Sequence, residues 1–102
     1  MIARLWRSIV RANRSEEYFR HLREHILPAY RSADGSQSVY ILLDMKGEFA
    51  SILLLSFWES RAALEAFVDL QLDPEASHAA RELVLASEST TTVYEVIANQ
   101  AH

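Results

Sequence analysis

The sequence predicts an α+β fold of the ferredoxin-like type, in which a four-stranded antiparallel sheet carries its helices on one face. The segment 51–60 has the length of a strand and is apolar on both of its alternating sides. One side would carry Ile52, Leu54 and Trp58, and the other Leu53, Leu55 and Phe57. Segments with helical spacing of apolar residues alternate with strands rich in β-branched and aromatic residues. The predicted element order is β-α-β-β-α-α-β.

The doubly apolar strand also predicts an assembly. About three helices can cover one face of the sheet, and a chain of 102 residues has little left for the other face. Leaving that face in water would cost roughly 1.5–3 kcal/mol for each large apolar side chain. We therefore expect two copies to bury their uncovered faces against each other and form a homodimer, a dimeric α+β barrel. A monomer that tolerates an exposed apolar face is the alternative.

The start of the chain predicts a strand followed by a helix. Ile2 to Val10 is rich in β-branched and aromatic residues and contains neither Gly nor Pro. A helix is expected to begin at Asn13, with Glu16 three residues later, or at Ser15, and to end or kink near Pro28. Its apolar stripe consists of Tyr18 or Phe19, Leu22, Ile26 and Tyr30.

Turn residues predict a β-hairpin after this helix. Gly35 lies in a turn over residues 32–36 and is free to adopt a positive φ. A second strand is expected over about Ser38 to Met45, and Lys46-Gly47-Glu48 reverses the chain. The third strand, Phe49 to Trp58, therefore returns antiparallel to the second.

Two helices and a last strand complete the prediction. Ser60 is expected to cap the first of these helices, and Asp73-Pro74-Glu75 marks the start of the second. Thr90 to Ile97 is dense in Thr, Val, Tyr and Ile and predicts the closing strand. The apolar stripes of the two helices are Ala63, Leu64, Phe67 and Val68, and Ala76, Ala79, Ala80, Leu83 and Val84.

Composition narrows the class of protein. The 102 residues, half of them hydrophobic, predict a single domain over residues 1–102. A net charge of −4 argues against nucleic acid and against an anionic membrane surface as partners. Cysteine is absent, which excludes disulfides, a thiolate nucleophile and thiolate-bound metal. The chain has no signal-peptide core and no apolar run of about 18 residues, so we expect a cytoplasmic protein.

Several segments resemble small antibiotic-biosynthesis-monooxygenase-like proteins. They are Met1–Arg7, Glu17–Phe19 with Leu27–Tyr30, and Leu54–Phe67. The most specific element is the strand-to-helix junction Trp58-Glu59-Ser60. The resemblance covers nearly the whole chain and implies a dimeric α+β barrel with a pocket between the sheet and the helices of each subunit. Members of that family include cofactor-independent oxygenases that act on polyketide-derived aromatics, and haem-degrading oxygenases.

Three residues distinguish the haem-degrading branch of the family, and the sequence can be compared with each of them. The resemblance implies an asparagine in the first strand, a tryptophan in the helix after the junction and a histidine in the next helix. Here the first strand has Trp6, Arg7 and Ser8 in place of an asparagine, and the helix position is Phe67. Only His78 falls near the expected histidine. We therefore expect no haem, and no other cofactor.

The cofactor-independent branch supplies the leading functional expectation, a monooxygenase acting on a small aromatic of the polyketide or quinol type. A deprotonated phenolic substrate can itself supply the electron that activates oxygen, so the protein must bind, orient and desolvate it. Arg4 or Arg7 could stabilise a phenolate, and His78 or a tyrosine hydroxyl could relay a proton. Flat apolar walls could come from Trp6, Tyr30, Tyr40, Trp58, Phe67 and Tyr94.

The same residues also fit plainer roles. Aromatic residues at strand and helix spacing are typical of a core, Trp58 could anchor the dimer interface, and Arg4 or Arg7 could lie at the sheet edge with its head in water. Two further functional classes therefore stay open. One is a non-catalytic homodimer that binds or senses a small molecule in the same pocket. The other is a dimeric structural module with a solid core and acidic outer helices as its contact surface.

One motif points to metal chemistry. His21-Leu22-Arg23-Glu24-His25 matches the H-x-x-E-H string of inverted zinc peptidases. Such sites need a third ligand from a distant helix and a large catalytic domain, and here the string lies on the polar side of the first helix. We expect no peptidase and no physiological metal site, although two histidines one turn apart can bind zinc or nickel adventitiously.

Overall fold

The fold is an antiparallel sheet with a helical layer on one side, seen in a computed structural model that describes residues 1–69, 84–87 and 92–98. The strands are β1 (Ile2–Arg11), β2 (Ser36–Lys46), β3 (Phe49–Trp58), β4 (Val84–Ser87) and β5 (Thr92–Glu95). The helices are α1 (Ser15–His21), α2 (Leu27–Ser32) and α3 (Arg61–Asp69). A 3-10 turn, Ala12–Arg14, precedes α1, and a π turn, Leu22–Ile26, joins α1 to α2. Within these ranges no helix has the length and apolar character that a membrane span requires.

The sheet has four strand positions, and two short strands share the last one. The order is β2-β3-β1, and the far edge of β1 pairs with β4 near Ser8–Val10 and with β5 near Ile2–Leu5. All of these pairings are antiparallel. The predicted four-stranded antiparallel sheet with helices on one face is therefore confirmed.

The prediction was wrong at Val84. The sequence places this residue in the apolar stripe of a helix, but it lies in β4 opposite Val10. Periodicity alone does not separate a short apolar run from the end of a helical stripe, and here cross-strand pairing decided the structure. The closing strand extends over Thr92–Glu95, inside the predicted range. The rest of the helix predicted from Asp73 onward lies outside the described residues.

The pairing of β1 with β3 fixes which side chains share a face. Directly opposed residues of two antiparallel strands lie on the same side of the sheet, and here Ile2 opposes Trp58 and Trp6 opposes Leu54. The helix-facing side chains Ile52, Leu54 and Trp58 are at most 1% exposed. Leu53, Leu55 and Phe57 are half-buried on the other side. The predicted alternation along this strand is confirmed.

The first helical segment keeps its apolar residues on one side because it contains a π turn. Four apolar residues of this segment are buried, and consecutive members are four residues apart in sequence: Tyr18, Leu22, Ile26 and Tyr30. In a regular α-helix, three such steps would rotate the stripe by about 120°. The N–H of Leu27 instead donates to the carbonyl of Leu22, five residues back, which underwinds the helix. Pro28 has no N–H for the carbonyl of Glu24, so the predicted irregularity lies there, and the helix continues to Ser32.

The two predicted helix starts differ in mechanism. Ser60 Oγ accepts a hydrogen bond from the N–H of Ala63 at 3.1 Å, which confirms the predicted cap of α3. Before α1, no side-chain capping bond forms, and the Ser15 hydroxyl instead donates back to the carbonyl of Ala12 at 2.8 Å. The start signature therefore located the first helix correctly but did not identify its hydrogen bonds.

Gly35 connects the start of β2 to α3. Its φ is +83°, its carbonyl accepts from the N–H of Glu59 at 2.8 Å, and an added Cβ would lie 2.5 Å from the Cβ of Ala63. Gly47 has φ +61° with open space around it. Gly47 is therefore a matched control that carries the backbone strain without the steric overlap.

We expect Gly35→Ala to destabilise the fold more than Gly47→Ala. The strain of a positive φ should cost about 1 kcal/mol in both variants. Overlap with Ala63 should add about 1–3 kcal/mol in Gly35→Ala alone. Urea denaturation at fixed protein concentration measures both values. Equal losses in the two variants would show that the contact between Gly35 and α3 has no energetic role.

Candidate functional site

The sheet separates the predicted site residues into two groups. The helix-facing layer is the side of the sheet covered by α1, α2 and α3, and it contains Arg4, Trp6, Tyr30, Trp58 and Phe67. Arg7, Tyr40 and Tyr94 lie on the opposite side, which we call the open face. His78 lies outside the described residues. One pocket therefore cannot contain all of the predicted residues of a single protomer.

Three rings in the helix-facing layer form an aromatic cluster. The ring centroid of Phe67 lies 4.7 Å from that of Tyr30 and 4.9 Å from that of Trp58, and each residue is at most 2% exposed. Tyr30 and Trp58 are 6.0 Å apart. Offset and tilted rings at these distances attract one another beyond the gain from burial. Strand β3, helix α2 and helix α3 each contribute one ring, so the cluster holds the helical layer to the sheet.

Polar side chains are buried beside this cluster. Arg4 is 4% exposed, and its Nη1 donates to the hydroxyl of Tyr30 at 3.3 Å. On the same side of β1, the Ser8 hydroxyl donates to Tyr18 Oη at 3.1 Å. A buried guanidinium is destabilising unless hydrogen bonds and charge satisfy it.

Two buried serines were not predicted as part of the site. Ser8 and Ser56 are at most 1% exposed, and Ser56 Oγ accepts from Trp58 Nε1 at 3.0 Å. Their burial could have been predicted from the alternation of the strands. Each serine lies two residues from buried apolar side chains of its own strand and therefore on the same side of the sheet. A serine at such a position leaves room for a large neighbouring side chain, and its hydroxyl can form a hydrogen bond with the polar atom of that neighbour.

Trp6 differs from the other buried donors. It is 3% exposed, and its indole nitrogen Nε1 has no hydrogen-bond acceptor among the described residues. Its position in β1 puts it on the same side as Arg4, two residues away. Within the described ranges, the indole N–H of Trp6 therefore lacks a hydrogen bond of the kind that the indole N–H of Trp58 makes to Ser56.

The open face is apolar and concave. A groove of about 570 Å³ lies on it, and Phe57 packs edge-on against Tyr40 with ring centroids 6.1 Å apart. Tyr40 is 53% and Leu42 41% exposed, and Arg7 projects from this side of β1. The groove is lined by Met1, Gln37, Ser38, Tyr40, Leu42, Leu55, Phe57, Val96 and Ala98. An apolar surface of this kind on a soluble protein is typical of an interface.

The H-x-x-E-H string lies away from the helix-facing layer. The rings of His21 and His25 are 5.3 Å apart, His25 is exposed, and Glu24 Oε2 lies 3.9 Å from His25 Nε2. No group of three or more His, Asp or Glu residues able to hold a metal occurs within residues 1–69, 84–87 and 92–98. The string therefore supplies a pair of imidazoles on the outer side of the helix.

His21 gives a pH-dependent contribution to stability. Burial lowers the pKa of His21 below its ordinary value of 6.5, the charge of a protonated His25 lowers it further, and Glu24 opposes the shift. Between the lowered pKa and 6.5 the unfolded chain binds more protons at this residue than the folded chain, so stability rises with pH in that window. Below the lowered pKa, the contribution of neutral His21 to the free energy of unfolding is fully lost.

We therefore expect acidification to destabilise the protein less once His21 is replaced. Lowering the pH from about 8 to about 5.5 should reduce the free energy of unfolding more in the wild type than in His21→Gln, because the variant lacks the group that resists protonation when folded. Denaturant titration at both pH values measures the difference. Identical pH profiles would show that His21 is as easily protonated in the folded protein as in the unfolded chain.

No family model matches this sequence, and no curated protein matches it either. Solved structures do match its fold over nearly the full length. The heme-degrader MhuD from Mycobacterium tuberculosis, solved with two hemes in its active site, has a TM-score of 0.74 and 19% identity, with 99% of this chain and 100% of that chain covered. A proposed antibiotic biosynthesis monooxygenase from Deinococcus radiodurans has a TM-score of 0.73 and 23% identity, with 100% and 96% covered.

A proposed antibiotic biosynthesis monooxygenase from Nitrosomonas europaea has a TM-score of 0.74 and 12% identity, with 96% of this chain and 100% of that chain covered. These likenesses confirm the predicted fold, which is the one shared by monooxygenase-like proteins of this kind and MhuD. At such low identities the likeness concerns the fold, and function has to be argued from the residues of this chain.

Proposed function

We propose that this protein is a cofactor-independent monooxygenase that oxidises a small quinol-like aromatic between the sheet and the helices. The observation that supports the proposal most is the pair formed by Arg4 and Tyr30, buried in a layer that is lined mainly by aromatic and aliphatic side chains. A cation in a water-poor site stabilises a phenolate more strongly than it would in water. The fold shared with proposed monooxygenases is consistent with this activity.

Each buried residue has a defined task in this proposal. Arg4 holds the ionised oxygen of the substrate, and the hydroxyl of Tyr30, which accepts from Arg4, is placed to pass a proton. The aromatic residues orient the ring system and exclude water. The ionised substrate supplies the electrons for dioxygen. In its keto tautomer the substrate carries a ring CH2 group, and this group becomes a carbonyl: one oxygen atom of dioxygen stays on that carbon, and the other leaves as water with the two hydrogens.

Homodimer formation is part of the proposal. Leu55, Phe57, Tyr40 and Leu42 give the open face an apolar surface that a second copy would cover. The two sheets would then close into the barrel that the sequence predicts. Tyr40, Tyr94 and Arg7 would lie at or near this interface, apart from the helix-facing layer of their own protomer.

Haem does not fit the described residues. MhuD, which shares the fold, has been solved with two hemes in its active site. In the described part of this chain the histidines are His21 and His25, and both lie on the outer side of the first helical segment. No step of the proposed reaction uses haem.

Oxygen uptake tests the proposal. We expect the wild type to accelerate oxygen consumption with a panel of naphthohydroquinones and tricyclic phenols above the rate of spontaneous oxidation. Arg4→Met should lower kcat/KM by about a hundredfold or more, as removal of one buried oxyanion donor does elsewhere. Arg11→Met is the matched control, because Arg11 is exposed at the end of the same strand. No acceleration by the wild type, or breakdown of added haemin, would contradict the proposal.

A second candidate function is a non-catalytic homodimer that binds or senses a small molecule. It is favoured by the chemistry of the buried polar residues, which in the described ranges are Arg4, Ser8, Ser15 and Ser56, with no carboxylate or imidazole among them. A general base of ordinary type is therefore absent from the described part of the layer. Ligands that raise the unfolding temperature and are recovered unchanged would favour this function over the oxygenase.

A further inference from the structure

Among the described residues of the helix-facing layer, the indole N–H of Trp6 is the buried side-chain polar group that lacks a hydrogen-bond partner. Trp58 Nε1 donates to Ser56 and Ser8 donates to Tyr18, whereas Trp6 Nε1 has no acceptor within the described residues. Most buried donors have a partner, and leaving one without a partner is destabilising. A phenylalanine would fill similar space without that cost, so the N–H group itself requires an explanation.

The position of Trp6 connects this N–H to the proposed site. Trp6 lies two residues from Arg4 on the same side of β1, so both side chains enter the helix-facing layer about 7 Å apart along the strand. On the edge of β1 that pairs with β4 and β5, the pairs among described residues end at Leu5, opposite Thr92, and resume at Ser8, opposite Ser87. Trp6 therefore lies where the fourth strand position changes from β5 to β4.

We propose that Trp6 Nε1 donates a hydrogen bond to an oxygen atom of the bound aromatic, so that the site selects phenolates and quinones over aromatics without a ring oxygen. This inference rests on the proposed function, because it needs an aromatic in the helix-facing layer. An indole N–H can only donate, so its partner must be an acceptor such as a phenolate or a quinone carbonyl. The nearby guanidinium of Arg4 favours the ionised form of that oxygen.

Nuclear magnetic resonance can observe this hydrogen bond directly. The chain has two tryptophans and hence two indole N–H signals, which the spectrum of Trp6→Phe assigns. With 1-naphthol the Trp6 signal should move downfield, as expected for a new hydrogen bond, and the Trp58 signal should shift much less because Trp58 is already bonded to Ser56. With 1-methylnaphthalene, which replaces the hydroxyl by a methyl group, the Trp6 signal should show no downfield shift.

Calorimetry with the same two probes gives the energetic test. Trp6→Phe keeps a flat ring and loses the N–H, so the affinity for 1-naphthol should fall about tenfold and the affinity for 1-methylnaphthalene should stay within about twofold. Equal losses for both probes would overturn the inference and leave Trp6 as an apolar wall. If the wild type bound neither probe, the proposed site would fail and the inference with it. If Trp6→Phe does not fold, triple-resonance assignment of the wild type identifies the two indole signals, and the wild-type spectra decide the question.

Discussion

Replacing Phe67 by Ala is expected to lower the free energy of unfolding by about 3–5 kcal/mol, a large part of the stability of a small domain. Phe67 is 2% exposed, and its ring contacts Tyr30 and Trp58 at 4.7 and 4.9 Å. Its removal would leave a cavity where α3 meets α2 and β3. The measurement is urea denaturation followed by circular dichroism at a fixed protein concentration, since oligomerisation would make stability concentration-dependent.

The neighbouring residue supplies the control for this experiment. Val68 also lies in α3 but is 40% exposed, so Val68→Ala removes an apolar side chain from the same helix at little cost. We expect less than about 1 kcal/mol for Val68→Ala, because Ala is also the better helix former. Similar losses for the two variants would mean that the aromatic cluster does not hold α3 to the sheet.

Replacing Leu55 by Asp is expected to convert the proposed dimer into a monomer. Leu55 opposes Leu5 and Tyr40 on the open face, and its side chain lines the apolar groove. The two-fold symmetry would bring two carboxylates into one apolar interface. The dissociation constant should rise at least about a hundredfold, equivalent to about 2.8 kcal/mol. Sedimentation velocity at micromolar concentration measures the change.

A second variant separates the effect of the added negative charge from the effect of its location on the open face. Ala62 is exposed in the first turn of α3, where a carboxylate suits the helix dipole, so Ala62→Asp adds the same charge away from the open face. It should sediment as the wild type does. A wild-type species that sediments at the 11.7 kDa of one chain would show that the open face is not an interface between two copies.

Local patterns predicted most of the fold. The alternation of β3, the hairpin at Gly47 and the cap at Ser60 each depend on residues close in sequence, and the structure confirms all three. The strand at Val84 could not be predicted in this way. Its pairing with Val10 joins residues far apart in the chain, and four apolar or small residues do not distinguish a strand from a helix end.

The candidate site was less predictable than the fold. The sequence singled out Arg4 and Arg7 equally, but their opposite parity in β1 places one beneath the helices and the other on the open face. Which parity is covered depends on the tertiary arrangement of the helices, and the strand alone does not encode it. The same holds for Trp6, whose indole N–H has no acceptor in the part of the chain that the structure describes, a state that becomes visible only once its surroundings are known.

The π turn at Leu22–Ile26 has a consequence for how this segment tolerates insertions and deletions. It holds Tyr18 over Ser8 and Tyr30 over Arg4 in spite of their twelve-residue separation. Loss of one residue in the turn would rotate everything after it by about 100°, which would carry Tyr30 away from Arg4 without changing the hydrophobicity of the helix. The number of residues between these two tyrosines is therefore constrained more tightly than the identity of the exposed residues among them.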